Sequence, residues 1–159
     1  MKFLKVVSWL PMFLALFASG TGGELGNVRP VEYESPGLRL RLQYPAPWIL
    51  RDATTALRVA EENLVVLQRG ALNFNEEHVA RPMNVGSFEM RVRNTAPQCV
   101  WMLGDFSGRT ALECTDENGG VIAALRDTQT IFWVRYALGA GEEAHKLVAD
   151  TLQSVQLLN

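Results

Sequence analysis

From Val31 onward, apolar and polar positions alternate with period two, first in Val31-Glu32-Tyr33-Glu34 and then in Arg39-Leu40-Arg41-Leu42-Gln43-Tyr44. Alternation of this kind marks half-buried strands, and Ser35-Pro36-Gly37-Leu38 between them has turn chemistry, so the segment predicts a hairpin. The expected register sets Glu34 against Arg39 and Glu32 against Arg41 on a solvated face, with Tyr33 against Leu40 on the other. Tyr44-Pro45-Ala46-Pro47-Trp48 ends the hairpin, because neither proline can donate to a sheet ladder, and Trp48 reads as core. Thr54 to Glu62 contains good helix formers. The preferred reading is nevertheless two strands, Ala56-Leu57-Arg58-Val59 and Leu64-Val65-Val66-Leu67-Gln68, turning at Glu61-Glu62-Asn63. Residues 70–83 read as an excursion holding one short helix capped by Asn75. Val85 to Arg93 reads as a strand, with Phe88, Met90 and Val92 alternating against Glu89, Arg91 and Arg93.

The last third predicts a meander. Thr110–Asp116 and Val121–Arg126 flank Glu117-Asn118-Gly119-Gly120, whose Asn-Gly pair suits a tight hairpin. Ile131-Phe132-Trp133-Val134-Arg135-Tyr136 is apolar on both faces except at Arg135, the pattern of a central strand covered on each side. From Glu142 to Ser154 the period changes to that of a helix, with Ala144, Leu147, Val148, Leu152 and Val155 on one stripe. The fold class is therefore α+β: an antiparallel β-sheet flanked by helices, with a C-terminal amphipathic helix packed on the sheet.

Residues 1–20 are set apart from this pattern. Lys2 and Lys5 precede an apolar run from Val6 to Ala18, and Ala18-Ser19-Gly20 offers small residues for cleavage, which reads as a secretory signal peptide. The run is shorter than the ~20 residues of a spanning helix and contains Pro11, so no stable membrane span is expected after cleavage. Retention as an anchor is the minority alternative. Residues 21–30 are rich in Gly and polar groups and read as a flexible lead, leaving 31–159 as one domain. Loss of Lys2 and Lys5 leaves 13 basic and 17 acidic residues, a mildly acidic chain and a poor general binder of nucleic acid. Export implies a periplasmic or extracellular location. There Cys99 and Cys114, the two cysteines of the chain, are expected to form a structural disulfide, as an opposed pair on a hairpin that turns at Asp105-Phe106-Ser107-Gly108.

Leu40-Arg41-Leu42-Gln43-Tyr44-Pro45-Ala46-Pro47-Trp48 and Ala149-Asp150-Thr151-Leu152-Gln153-Ser154-Val155 together resemble the PsbP-like superfamily, which has a hairpin ending in Tyr-Pro-x-x-Trp and a C-terminal helix closing on Leu-x-Ser-Val. The resemblance implies an antiparallel sheet flanked by helices, used mostly as a non-enzymatic accessory or envelope module.

Candidate chemistry is sparse. His78 follows two glutamates in a polar stretch and His145 lies on the expected helix, so both read as surface residues. Ser87, Ser107 and Ser154 lack a Gly-x-Ser-x-Gly elbow, and Gly104-Asp105-Phe106-Ser107-Gly108 lacks the Lys-Ser/Thr of a phosphate loop. No catalytic residue, cofactor or metal ligand is assigned. Phe106, placed at a hairpin tip, is a candidate contact for a partner protein. The expected function is an exported, non-catalytic accessory or interaction module of the bacterial envelope. The alternative is a carrier of a small apolar ligand held between sheet and helix.

Overall fold

The computed structural model describes residues 28–61, 71–139 and 141–159. The expected signal segment, most of the lead, and the strand expected at 64–68 lie outside the described residues. β1 (Pro30–Ser35) and β2 (Leu40–Pro45) form the first hairpin, and β2 also pairs with the short C-terminal β10 (Gln156–Leu157). The hairpin register is shifted from the expected one: Glu34 faces Arg41 and Tyr33 faces Leu42. The shift is two residues, so every side chain keeps its face. Its cause is the turn, which takes four residues, Pro36 to Arg39, with Arg39 at φ 47°. Arg41 consequently pairs with both Glu34 and Glu32.

At Ala46-Pro47 the chain leaves this small sheet and enters the edge of a seven-stranded antiparallel sheet. Its order is β3 (Trp48–Asp52), β4 (Ala56–Glu61), β5 (Ala71–His78), β9 (Thr130–Ala137), β8 (Gly119–Asp127), β7 (Arg109–Asp116) and β6 (Met102–Phe106). Ala56–Glu61 is thus strand, as preferred from sequence. β9 occupies the middle of the sheet, and its two faces feed two apolar clusters. Phe132, Val134 and Tyr136 join Leu40, Leu42, Leu72, Phe74 and Val148, where the small sheet and α2 (Glu142–Gln153) cover the large one. Ile131 and Trp133 join Phe88 and Val92 of α1 (Val85–Thr95) on the opposite face. Burying a side chain such as Phe132 contributes about 1.5–3 kcal/mol. Ser154, which caps α2, ties it to β2 by accepting from the Gln43 N–H at 2.8 Å and donating to the Gln43 carbonyl at 3.0 Å.

Two segments differ from expectation. Val85–Thr95 is a helix, because Phe88 and Val92, four residues apart, both reach the core while Met90 points to solvent. Asn84 caps it, its Oδ1 accepting from the Ser87 N–H at 2.9 Å, a contribution of about 1 kcal/mol. Asn75 caps no helix: it lies in β5, paired with Ala56 and Trp133. β5 tolerates its polar run because the side chains find partners across the sheet. Glu77 accepts from Arg91 Nε of α1 and from Trp133 Nε1, both at 2.9 Å, which docks the helix.

The hairpin between β7 and β8 turns on Glu117-Asn118, with Asp116 facing Gly119. Gly119 has φ 150°, and a Cβ there would stand 2.1 Å from the Tyr136 carbonyl oxygen, so only glycine lets β8 approach β9 at that point.

Candidate functional site

β6 is an outer strand of the large sheet, hydrogen-bonded to β7 alone among the described strands. An outer strand leaves a row of backbone N–H and C=O groups unpaired, and edges are commonly protected by Lys, Pro or a bulge. The run Val100-Trp101-Met102-Leu103-Gly104 has none of these. Trp101 turns inward and donates its Nε1–H to the Ala96 carbonyl at 3.0 Å. Val100, Met102 and Leu103 face solvent, 82%, 54% and 59% exposed. Leu103 lies on the α1 side of the sheet, opposite Leu112, and Met102 on the other, opposite Glu113. Each face of this outer edge therefore begins with one exposed apolar side chain, and Asp105 follows on the Leu103 side.

The edge is held rigidly from behind. Cys99, just ahead of β6, and Cys114 on β7 form a disulfide with a Cα–Cα distance of 5.8 Å. They are not the opposed hairpin pair expected from sequence, because the register differs: Met102 faces Glu113 and Phe106 faces Arg109. The tip is a two-residue turn, Ser107-Gly108, with φ 53° and 74°. Positive φ at both positions is the geometry that two-residue hairpins favour, and the Asp105 carboxylate accepts from the Gly108 N–H at 2.9 Å. Behind Met102, Glu113 accepts from the Tyr136 hydroxyl at 2.8 Å and from the Thr115 hydroxyl at 3.1 Å. Burial, reinforced by the adjacent Glu113 charge, pushes the Tyr136 phenol well above its ordinary range, so this hydroxyl stays a donor.

Phe106 does not occupy the exposed position expected of it. It is 4% exposed, and its ring lies 6.5 Å from that of Phe132 in the core. The tighter turn places Phe106 on the last paired rung of the hairpin, facing the small sheet, so its side chain is not available as a surface contact. The exposed apolar groups of the same hairpin are instead Met102 and Leu103, with Val100 just before it. Their signal in the sequence was a four-residue apolar run entering a strand without alternation. His78 and His145 are exposed, and Trp48 is core.

Among the described residues, no group of three His, Cys, Asp or Glu side chains converges to hold a metal ion. No described helix is long and apolar enough to cross a membrane. The strongest polar constellations tie structure together. Asp52 accepts from the Ser35 hydroxyl at 2.6 Å, the Thr54 N–H at 2.9 Å and the Tyr33 hydroxyl at 3.0 Å, joining the two sheets. Arg126, the extra residue of a bulge in β8, turns into the core to reach Glu76.

No family model matches the chain, and no curated protein matches it. Among solved structures, the chain is similar to cyanobacterial PsbP (CyanoP) from Synechocystis, with 13% identity over 87% of this chain and 98% of that one, at a TM-score of 0.48. It is also similar to the Ran-binding protein Mog1p of Saccharomyces cerevisiae, with 11% identity over 83% of this chain and 97% of that one, at a TM-score of 0.41.

Proposed function

We propose that this protein is an exported, non-catalytic interaction module whose β6 edge receives an extended strand from a partner protein. The observation that carries the reading is the outer edge of β6, which pairs with β7 alone among the described strands and begins with the exposed apolar side chains Val100, Met102 and Leu103. Strand addition draws affinity from main-chain hydrogen bonds and selectivity from alternate side chains, and this edge offers both. The disulfide that fixes the start of β6 supports export, since such bonds persist in oxidising compartments. Asp52, Glu76 and Glu77 are committed to structural contacts, in keeping with a non-catalytic role. Leu40, Leu42, Phe74 and Val148 fill the space between sheet and α2, which favours an interaction module over a carrier.

The test is photo-crosslinking in cells that express the chain with its own N-terminal segment, with the reactive residue placed at Leu103 or, as a control, at Glu142. The expected result is a discrete protein adduct in the exported fraction from position 103, lost when Val100→Glu is added. Equal labelling from both positions would overturn the reading. So would native mass spectrometry showing an added small molecule of a few hundred daltons, which would establish the carrier instead.

A further inference from the structure

Four strands of the large sheet contribute to one polar row that runs across them. Arg51 on β3 is paired with Arg58 on β4, Arg58 with Asn73 on β5, and Asn73 with Arg135 on β9. Directly paired residues share a face of the sheet. On β9 that face is the one occupied by Ile131 and Trp133, the side on which α1 packs. Neighbouring strands lie about 4.8 Å apart, so the row is roughly 14 Å long. α1 packs over β7 and β8, to one side of this row. Arg51 and Arg135 are exposed and Arg58 is half-buried.

The charge on this row is unbalanced. Among the described residues no carboxylate pairs with Arg51, Arg58 or Arg135, and the row sets three such guanidinium groups on one face. Like charges set directly opposite one another weaken strand pairing, and Arg51 and Arg58 are placed that way. The arrangement therefore does not serve the stability of the sheet. It does suit anion recognition, because the planar guanidinium fork binds carboxylates bidentately and Asn73 adds an amide donor between two of the forks.

The length of the anion follows from the rest of the molecule. The chain as a whole is net acidic, at −2. The chain therefore has no net positive charge to draw a long polyanion along its surface, whereas a short acidic stretch needs only the arginines of the row. In an extended peptide, side chains two residues apart stand about 6.8 Å from each other, so about five residues cover the row. We propose that Arg51, Arg58 and Arg135 form a docking site for a short acidic segment of a partner protein, presenting two or three carboxylates. The site is on the opposite part of the sheet from β6 and stands without the strand-addition reading.

The test is fluorescence anisotropy of the purified protein with a labelled Glu-Ser-Glu-Ser-Glu peptide, its Gln-Ser-Gln-Ser-Gln counterpart, and a single-stranded oligonucleotide of similar length. The acidic peptide is expected to bind at about 50 mM salt and to weaken markedly at about 300 mM, where screening is short-ranged. The glutamine peptide should not bind. Arg58→Gln and Arg135→Gln should each weaken binding about fivefold, and together about twentyfold, with Arg58→Lys intermediate because it keeps charge and loses the fork. Thermal midpoints should hold or rise in Arg58→Gln, since a like-charge pair is relieved. Should Arg58→Gln fail to fold, the exposed Arg135→Gln decides alone. Unchanged affinity in the double variant would overturn the proposal, as would tighter binding of the oligonucleotide than of the acidic peptide.

Discussion

Arg126 on β8 and Glu76 on β5 form an ion pair across the intervening strand β9, 2.5 Å apart, with the Arg126 side chain only 3% exposed. The guanidinium passes over the Phe132 ring, 6.0 Å from its centre, and donates onward to the carbonyls of Leu38, Arg39 and Leu158. One side chain therefore fastens the first hairpin turn and the C-terminal strand to the large sheet. Burial pushes the guanidinium below its ordinary pKa, and the Glu76 charge opposes that.

Removing one partner leaves the other charge buried and alone, which costs about 3–5 kcal/mol. Arg126→Ala and Glu76→Ala are each expected to destabilise by that amount in urea titrations. The pair Arg126→Met with Glu76→Leu should cost much less than the two alanine losses added together. Single losses below about 1 kcal/mol would show that the pair does not carry the junction.

Asp52 is expected to contribute to the acid limit of stability. Burial pushes its carboxyl pKa up, but the Ser35 hydroxyl, the Thr54 N–H and the Tyr33 hydroxyl all donate to the carboxylate, and the net effect holds it below the usual range. A depressed carboxyl contributes stability that is present above its unfolded pKa of about 3.9 and is lost as pH falls through the lower folded value. Asp52→Asn should therefore flatten the stability-versus-pH curve below about pH 4 and lower stability at neutral pH. An acid limb as steep as the parent's would place the titration elsewhere, with Asp127, whose carboxyl is also held low, the next residue to replace.

Much of this architecture is legible in local pattern. Period two marks β1 and β2, a run apolar on both faces marks β9, and the helical stripe marks α2, because in each the buried face is written in consecutive residues. Registers were off by two in both hairpins, since they depend on turn geometry at Arg39 and at Ser107-Gly108 that alternation does not encode. α1 was misread because Phe88, Met90 and Val92 fit period two, and the deciding facts were the Asn84 cap and the exposure of Met90. β5 is hidden because Asn75, Glu76 and Glu77 read as the cap and first turn of a short helix until Trp133, Arg91 and Arg126 arrive from distant positions. The arginine row is invisible for the same reason, with Arg135 far in sequence from Arg51 and Arg58.

The disulfide should stabilise mainly by restricting the unfolded chain. Cys99 and Cys114 are 15 residues apart, and closing a loop of that size is worth about 3 kcal/mol. Urea titrations with and without a reductant, or of Cys99→Ser with Cys114→Ser, should differ by about that amount. The same variant should lower crosslinking from Leu103, because the start of β6 loses its anchor. No shift in the urea midpoint on reduction would mean that the surrounding packing already holds the segment.

Asp150 on α2 is the position at which a single replacement should strengthen the fold. Its Oδ2 is buried with no hydrogen-bond partner among the described residues, and burial pushes the carboxyl pKa up, opposed by the Lys146 charge. For an acid with a raised folded pKa, stability falls as pH rises from about 3.9 through that raised value, so at neutral pH the ionised side chain works against folding. Asp150→Ala removes that cost and also gains about 0.5 kcal/mol of helix propensity. The expected gain is about 1 kcal/mol at pH 7, read from urea midpoints. At about pH 3.5, where the parent carboxyl is largely protonated, the gain should shrink to the propensity difference. Lower stability of Asp150→Ala at pH 7 would mean that the carboxylate makes a stabilising contact and that its burial is compensated.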